Sequence, residues 1–178
     1  MDAYLPDGRT GRRVVVGLSG SLGSLAALHR AVAEARRTDT PVLAVHAWEP
    51  PGGEIGYRRS PCPPLLAAVR AQASERLATA LDDAFGGTDP GVRLQTLLVR
   101  GEPGRALVAA AEHPDDLLVL GAGGSLLHRG LRPSVTGHCL RHAACPVLTV
   151  PRPALQRDLQ ALHRRNRWHL PAHPLPTR

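Results

Sequence analysis

Five short apolar runs recur along the chain, at residues 13–18 (RVVVGL), 41–48 (PVLAVHAW), 92–99 (VRLQTLLV), 117–121 (LLVLG) and 146–150 (PVLTV). Four are nearly continuous in hydrophobicity, the pattern of strands covered on both faces, as in a parallel sheet. The third alternates apolar and polar positions, which places it near an edge. Between the runs the period lengthens to that of a helix. Residues 22–37 align Leu25, Leu28, Val32 and Ala35 in one stripe and leave Glu34, Arg36 and Arg37 for solvent. Residues 64–85 align Leu66, Val69, Ala73, Leu77, Ala80 and Ala84 in the same way. A shorter helix is expected over 104–112 after Pro103, and another from near Ser134 to His142. Strands alternating with helices imply βαβ units with right-handed crossovers. The expected fold is α/β and doubly wound, with ligands beyond the carboxyl ends of the strands.

Two segments fall outside this rhythm. Residues 50–64 (PPGGEIGYRRSPCPP) are rich in proline and glycine and read as a loop after the second strand. Residues 152–178 read as a basic extension. Leu155, Leu159 and Leu162 stand there at i, i+4 and i+7, an amphipathic helical spacing, and the stretch beyond Trp168 reads as disordered. The expected organisation is a flexible N-terminus over 1–11, one domain over 12–151 and this extension. A body of that size buries about two thirds of its unfolded surface, so a core needs no staples.

The formal net charge of +7 raises the question of nucleic acid. Most of the excess belongs to the extension, where six arginines face only Asp158; the rest of the chain is close to balanced. With two Trp, two Tyr and one Phe, a base-stacking platform is not available, so nucleic acid is not the expected partner. Cys62, Cys139 and Cys145 are odd in number and form no CxxC pair, which argues against a disulfide framework and fits a reducing cytoplasm. The opening MDAYLPDGRTGRR lacks the apolar region of a signal peptide, and no run approaches the length of a membrane span.

Candidate chemistry lies in two glycine stretches. VVVGLSGSLGS, residues 14–24, breaks from strand to helix with glycines at 17, 20 and 23. That is neither G-x-G-x-x-G nor a P-loop, since the chain has no lysine. It reads as a strand-to-helix turn whose helix is capped by Ser21 or Ser24, bordering whatever ligand the sheet mouth holds. The second stretch follows the fourth strand: Gly121, Ala122, Gly123 and Gly124, then a basic loop with His128, Arg129 and Arg132, then a helix opening at Ser134, Val135 and Thr136. Glycines, arginines and a helix N-terminus together make an anion cradle.

This second stretch resembles the universal stress proteins, whose nucleotide-binding members carry G-x2-G-x9-G-[ST] before a helix and a final CPVLVV-like strand. LRHAACPVLTV, residues 140–150, is the most specific piece. VVVGLSGS resembles the family's VVVGxDGS start, PVLAVHAW its second strand, and RGEP its third crossover. The resemblance spans about residues 12–151. It implies a Rossmann-like, five-stranded parallel sheet of the adenine-nucleotide alpha hydrolase type, and ATP with Mg2+ as the cofactor. Gly121 and Gly124 match the first two glycines of the motif. Ser134 and Val135 match the residues that meet phosphate and ribose, with Thr136 and the loop's Arg132 beside them. Gly17 and Ser19 stand at the first turn, Ser19 where the family has an aspartate, and Ala47 stands near the backbone position that reads adenine. Pro133 takes the place of the third glycine, separated from Gly124 by eight residues where the motif has nine, and has no N–H to offer a phosphate.

The resemblance further implies a homodimer in which residues 146–150 pair with a second copy, with Cys145 and Pro146 near the interface. His138 and His142, at i and i+4 with Cys139 and Cys145 nearby, raise a zinc reading. Cys139 points about 100° away from His138 on a helix, so the structural reading is preferred. Neither Asp82–Asp83 nor Asp115–Asp116 forms an acid/base couple, and no nucleophile elbow is present. The expected function is that of a cytoplasmic stress-response regulator that binds ATP without turnover. The alternative is a dimeric adaptor that acts through protein partners and holds no nucleotide.

Overall fold

A computed structural model describes residues 12–122 and 134–154. The elements run β1 (Val14–Gly17), α1 (Leu22–Thr38), β2 (Val42–Trp48), α2 (Gly53–Arg59), α3 (Pro63–Phe85), β3 (Leu94–Arg100), α4 (Pro103–Ala110), β4 (Leu117–Gly121), α5 (Val135–His142) and β5 (Val147–Val150). The five strands form one parallel sheet in the order β3-β2-β1-β4-β5. The chain therefore winds outward from β1 through β2 to β3, then returns to start the other half at β4. The crevice between the ends of β1 and β4 is the topological switch point of this sheet. The expected helix over 155–162 and the stretch beyond Trp168 lie outside the described residues.

The continuous apolar runs are explained by layers on both faces. Val14, Val16 and Val119 pack with Leu28, Ala31, Val32 and Leu77 beneath α1 and α3. Val15, Leu43, Val45 and Leu118 pack with Leu107, Ala110 and Cys139 beneath α4 and α5. Val14, Val15 and Val16 are fully buried, each at about 1.5–3 kcal/mol relative to exposure. β3, whose alternation pointed to an edge, is the edge strand next to β2.

Three features depart from the pattern reading. The proline- and glycine-rich stretch expected as a loop contains α2, and α3 begins within it, at Pro63. A helix this short has little stability of its own. Tertiary contacts hold it: Arg100, at the end of β3, donates to both carboxylate oxygens of Glu54 at 2.7 and 3.0 Å. The same guanidinium lies 4.8 Å from the centre of the Tyr57 ring. The Glu54 carboxyl is held below its ordinary range by its hydrogen bond to Arg100, against some desolvation.

Glu34, expected in solvent, is largely covered and clamped. Arg37 donates to one carboxylate oxygen at 2.7 and 3.1 Å, and Arg30 donates to the other. The hydrogen bond to Arg37 is the main reason its carboxyl sits below the ordinary range.

The third departure is at the amino ends of β1 and β4. Asp116, which the apolar pattern does not mark as a core position, is buried with 1% of its surface exposed. It accepts from the Arg13 backbone N–H at 3.0 Å and from the Arg13 guanidinium at 3.1 Å, while that guanidinium also donates to the carbonyl of Ala110. A buried carboxylate without such partners would be prohibitive, so Asp116 depends on Arg13 for its place in the fold.

Candidate functional site

At the carboxyl end of β1 the chain passes through Leu18 and Ser19 into α1. Ser21 is the N-cap, its extended backbone placing the hydroxyl to accept from the N–H of Ser24 at 3.2 Å. Ser24 returns the contact, its hydroxyl donating to the carbonyl of Ser21 at 2.8 Å and accepting from the N–H of Ser19 at 3.2 Å. The Ser19 hydroxyl lies 3.1 Å from that of Ser21. Where a carboxylate would repel a neighbouring anion, this turn exposes two neutral hydroxyls, those of Ser19 and Ser21, while the buried Ser24 hydroxyl is committed within the turn.

Gly17, expected to border the ligand, has a different reason to be glycine. A Cβ there would come within 3.0 Å of the Leu107 side chain and 3.2 Å of Leu120, so the position serves core packing. Gly121, at the end of β4, also answers to packing: a Cβ would lie 2.6 Å from the carbonyl carbon of Gly23 and 3.2 Å from the N–H of Ser24. The first turn of α1 therefore rests directly on the backbone of β4.

From the other side, Thr136 in the first turn of α5 approaches the Gly121 carbonyl at 3.4 Å, a long hydrogen bond. Ser134 is the N-cap of α5 and accepts from the N–H of Gly137 at 3.0 Å. The amides of Val135 and Thr136 belong to the helix positions that have no carbonyl one turn back. The N-termini of α1 and α5 thus converge on the end of β4 at the switch point. Each contributes partial positive charge and unpaired donors.

Ala47 lies one strand over, near the carboxyl end of β2 and half-buried. Beside it, the buried His46 donates from Nδ1 to the carbonyl of Leu18 at 2.7 Å; a carbonyl only accepts, so the proton is on Nδ1. That bond ties the end of β2 to the turn after β1. Gly17, Ser19, Ala47, Gly121, Ser134, Val135 and Thr136 are thus gathered around the carboxyl ends of β1, β2 and β4. Gly124, Arg132 and Pro133 lie outside the described residues. The sequence reading missed His46 as a strap; a histidine one residue before the mouth of a buried strand was its only signal.

The cysteine–histidine reading separates as the helical geometry requires. Cys139 is buried with its thiol 3.8 Å from the carbonyl of Gly104, and burial, with Glu102 second, raises its pKa to about 11. No group of three or more His, Cys, Asp or Glu side chains among the described residues could hold a metal. Among them, too, no helix is long and apolar enough to cross a membrane.

A family model described as the universal stress protein family matches residues 11–151. The chain belongs to that family. No curated protein sequence matches it at a significant level. Among solved structures, a universal stress protein in complex with cAMP is 28% identical, with 80% of this chain and 98% of that chain covered and a TM-score of 0.52. The universal stress protein UspA from Lactobacillus plantarum is 26% identical over 78% of this chain and 97% of that one, with a TM-score of 0.57. A family member from Arabidopsis thaliana with AMP bound, at 19% identity and a TM-score of 0.51, covers 82% and 95% and shares the fold.

Proposed function

We propose that this member of the universal stress protein family is a nucleotide-responsive regulator, holding an adenine nucleotide across the ends of β1 and β4. The observation that carries the reading is the convergence of two helix N-termini on Gly121, at the one place where the sheet reverses its winding. Such a crevice attracts anions and supplies backbone donors for phosphate. A relative 28% identical to this chain is seen with cAMP, which supports a nucleotide as the ligand class.

The donor set fits the phosphate end of a nucleotide. The amides of Val135 and Thr136, with the hydroxyls of Ser134 and Ser19, would hold phosphate and ribose, and the backbone near Ala47 would border the base. ATP with Mg2+ on its phosphates is the expected form. Binding, without turnover, would be the output of a cytoplasmic protein. β5 is an edge strand with Val147, Leu148 and Val150 half-exposed and Thr149 exposed, which supports pairing with a second copy through residues 146–150. In the alternative reading that same dimer is an adaptor for a protein partner and needs no nucleotide.

Calorimetry and thermal shift with ATP and Mg2+, AMP and cAMP decide between the two. Ligand at 100 times its Kd raises stability by about 2.7 kcal/mol. No shift with any of the three at millimolar concentration refutes the nucleotide reading and leaves the adaptor.

A further inference from the structure

Ala122 is the residue at which β4 gives way to the glycine stretch, and both of its backbone groups are held by the chain at the end of β5. Its N–H donates to the carbonyl of Val150, the last residue of β5, at 2.7 Å. Its carbonyl accepts from Nε of Arg152 at 3.0 Å. β4 and β5 pair in parallel, with Gly121 opposite Val150. In such a ladder the rung that follows would run from residue 152 to the Ala122 carbonyl. The Arg152 side chain supplies the donor for that rung after β5 itself has ended. The strand stops for a local reason: Pro151 and Pro153 flank Arg152, and neither has an N–H to extend a ladder.

The position of this rung matters for the crevice. One residue earlier, Gly121 receives the first turn of α1 against its Cα and the Thr136 hydroxyl of α5 on its carbonyl. Gly121 therefore carries the two helix N-termini, and Ala122 carries β5 and Arg152. From Ala122 the chain runs into residues 123–133, with Gly124 and Arg132 among them, and comes back at Ser134, the N-cap of α5. The direction in which that stretch leaves is set by the Ala122 peptide. A guanidinium N–H is a charge-assisted donor of planar, fixed geometry, so it holds a carbonyl more firmly than a neutral amide does. Arg152 is also half-buried, which reduces competition from water.

We propose that Arg152 is a positioning residue for the nucleotide crevice. It holds the Ala122 carbonyl and so sets the take-off of the glycine stretch, without itself touching the phosphates. The proposal rests on the nucleotide reading of the crevice and adds to it a residue that lies beyond the last strand.

The test uses the full chain and two variants. Arg152→Met keeps the length of the side chain and has no donor, whereas Arg152→Lys keeps a charged N–H donor. Calorimetry with ATP and Mg2+ reads affinity, and amide hydrogen exchange of the unliganded protein, followed by NMR, reads the protection of Ala122. Arg152 lies outside both core clusters, so the fold should survive either change, and circular dichroism checks that it does. The expected result for Arg152→Met is about tenfold faster exchange at Ala122 and about tenfold weaker ATP, the effect of losing one charge-assisted hydrogen bond. Arg152→Lys should restore most of both. Equal ATP affinity in wild type and Arg152→Met overturns the proposal and leaves the nucleotide reading standing. Weaker ATP with unchanged exchange at Ala122 overturns it as well, because Arg152 would then meet the phosphates directly. A wild-type protein that binds neither ATP, AMP nor cAMP refutes the nucleotide reading, and the role of Arg152 falls with it.

Discussion

Gly121 and Gly23 meet backbone to backbone: no side chain fits at 121, because its Cβ would penetrate the carbonyl group of Gly23. The contact fixes the first turn of α1 on the end of β4, and so sets the width of the crevice at the switch point. Gly121→Ala must push these elements apart. The expected cost is about 1–3 kcal/mol, the range for overpacking, read as a lower denaturation midpoint. If the crevice holds nucleotide, the thermal shift with ATP should fall as well. A native midpoint for Gly121→Ala would mean that the first turn of α1 can yield without cost.

Asp116 and Arg13 anchor the opposite end of the same two strands. Removing one partner leaves a buried charge without compensation, so Asp116→Ala should cost about 3–5 kcal/mol. Replacing both with apolar residues of similar volume should recover much of that loss. Urea denaturation of the single and double variants measures the difference. The pair lies at the amino ends of the strands, so any nucleotide shift measured on the folded variants should persist.

Much of this architecture was legible in the chain because burial on both faces writes a continuous apolar run. Val14 to Val16, Leu43 to Val45 and Leu118 to Leu120 announce central strands without help from distant residues. Residues that depend on distant partners were not legible. Nothing near Glu54 signals that Arg100 will hold α2, and nothing near Asp116 signals Arg13, 103 positions earlier. Glu34 has Arg30 and Arg37 on its own helix face, and i, i+3 and i, i+4 spacing gave the chance to see that clamp. The glycines are ambiguous for a physical reason. A ligand and a packed neighbour impose the same demand, the absence of a Cβ, and at Gly17 and Gly121 the neighbour accounts for it.

Ser134 separates structural from ligand roles within one side chain. Its hydroxyl caps α5 by accepting from Gly137, and Ser134→Ala should cost about 1 kcal/mol for the lost cap. Ser134→Gly should cost only a few tenths, because glycine is tolerated at a cap. If the hydroxyl also meets phosphate, both variants should weaken ATP equally, whatever their stability. Calorimetry beside thermal denaturation resolves this: weakening by alanine alone would assign Ser134 to capping only.

Thiol chemistry offers an independent check on the packing of α5. Cys62 is exposed, whereas Cys139 and Cys145 are buried. In native protein a thiol reagent should titrate one group rapidly, and the other two only after denaturant is added. Burial raises the Cys139 pKa from its ordinary 9.0 to about 11. Above pH 9 the unfolded chain therefore releases a proton that the folded chain keeps, and the unfolded state gains stability. Cys139 favours the fold fully below pH 9, and its contribution fades as pH rises through 11, by about 2–3 kcal/mol over the two units. Burial also raises the Cys145 thiol, so it adds to the same alkaline decline. Cys139→Ala should start from a lower stability, because it leaves a small cavity, but should lose less between pH 9 and 11. Parallel slopes for wild type and Cys139→Ala over that interval would show that the thiol is not as enclosed as its contact with Gly104 requires.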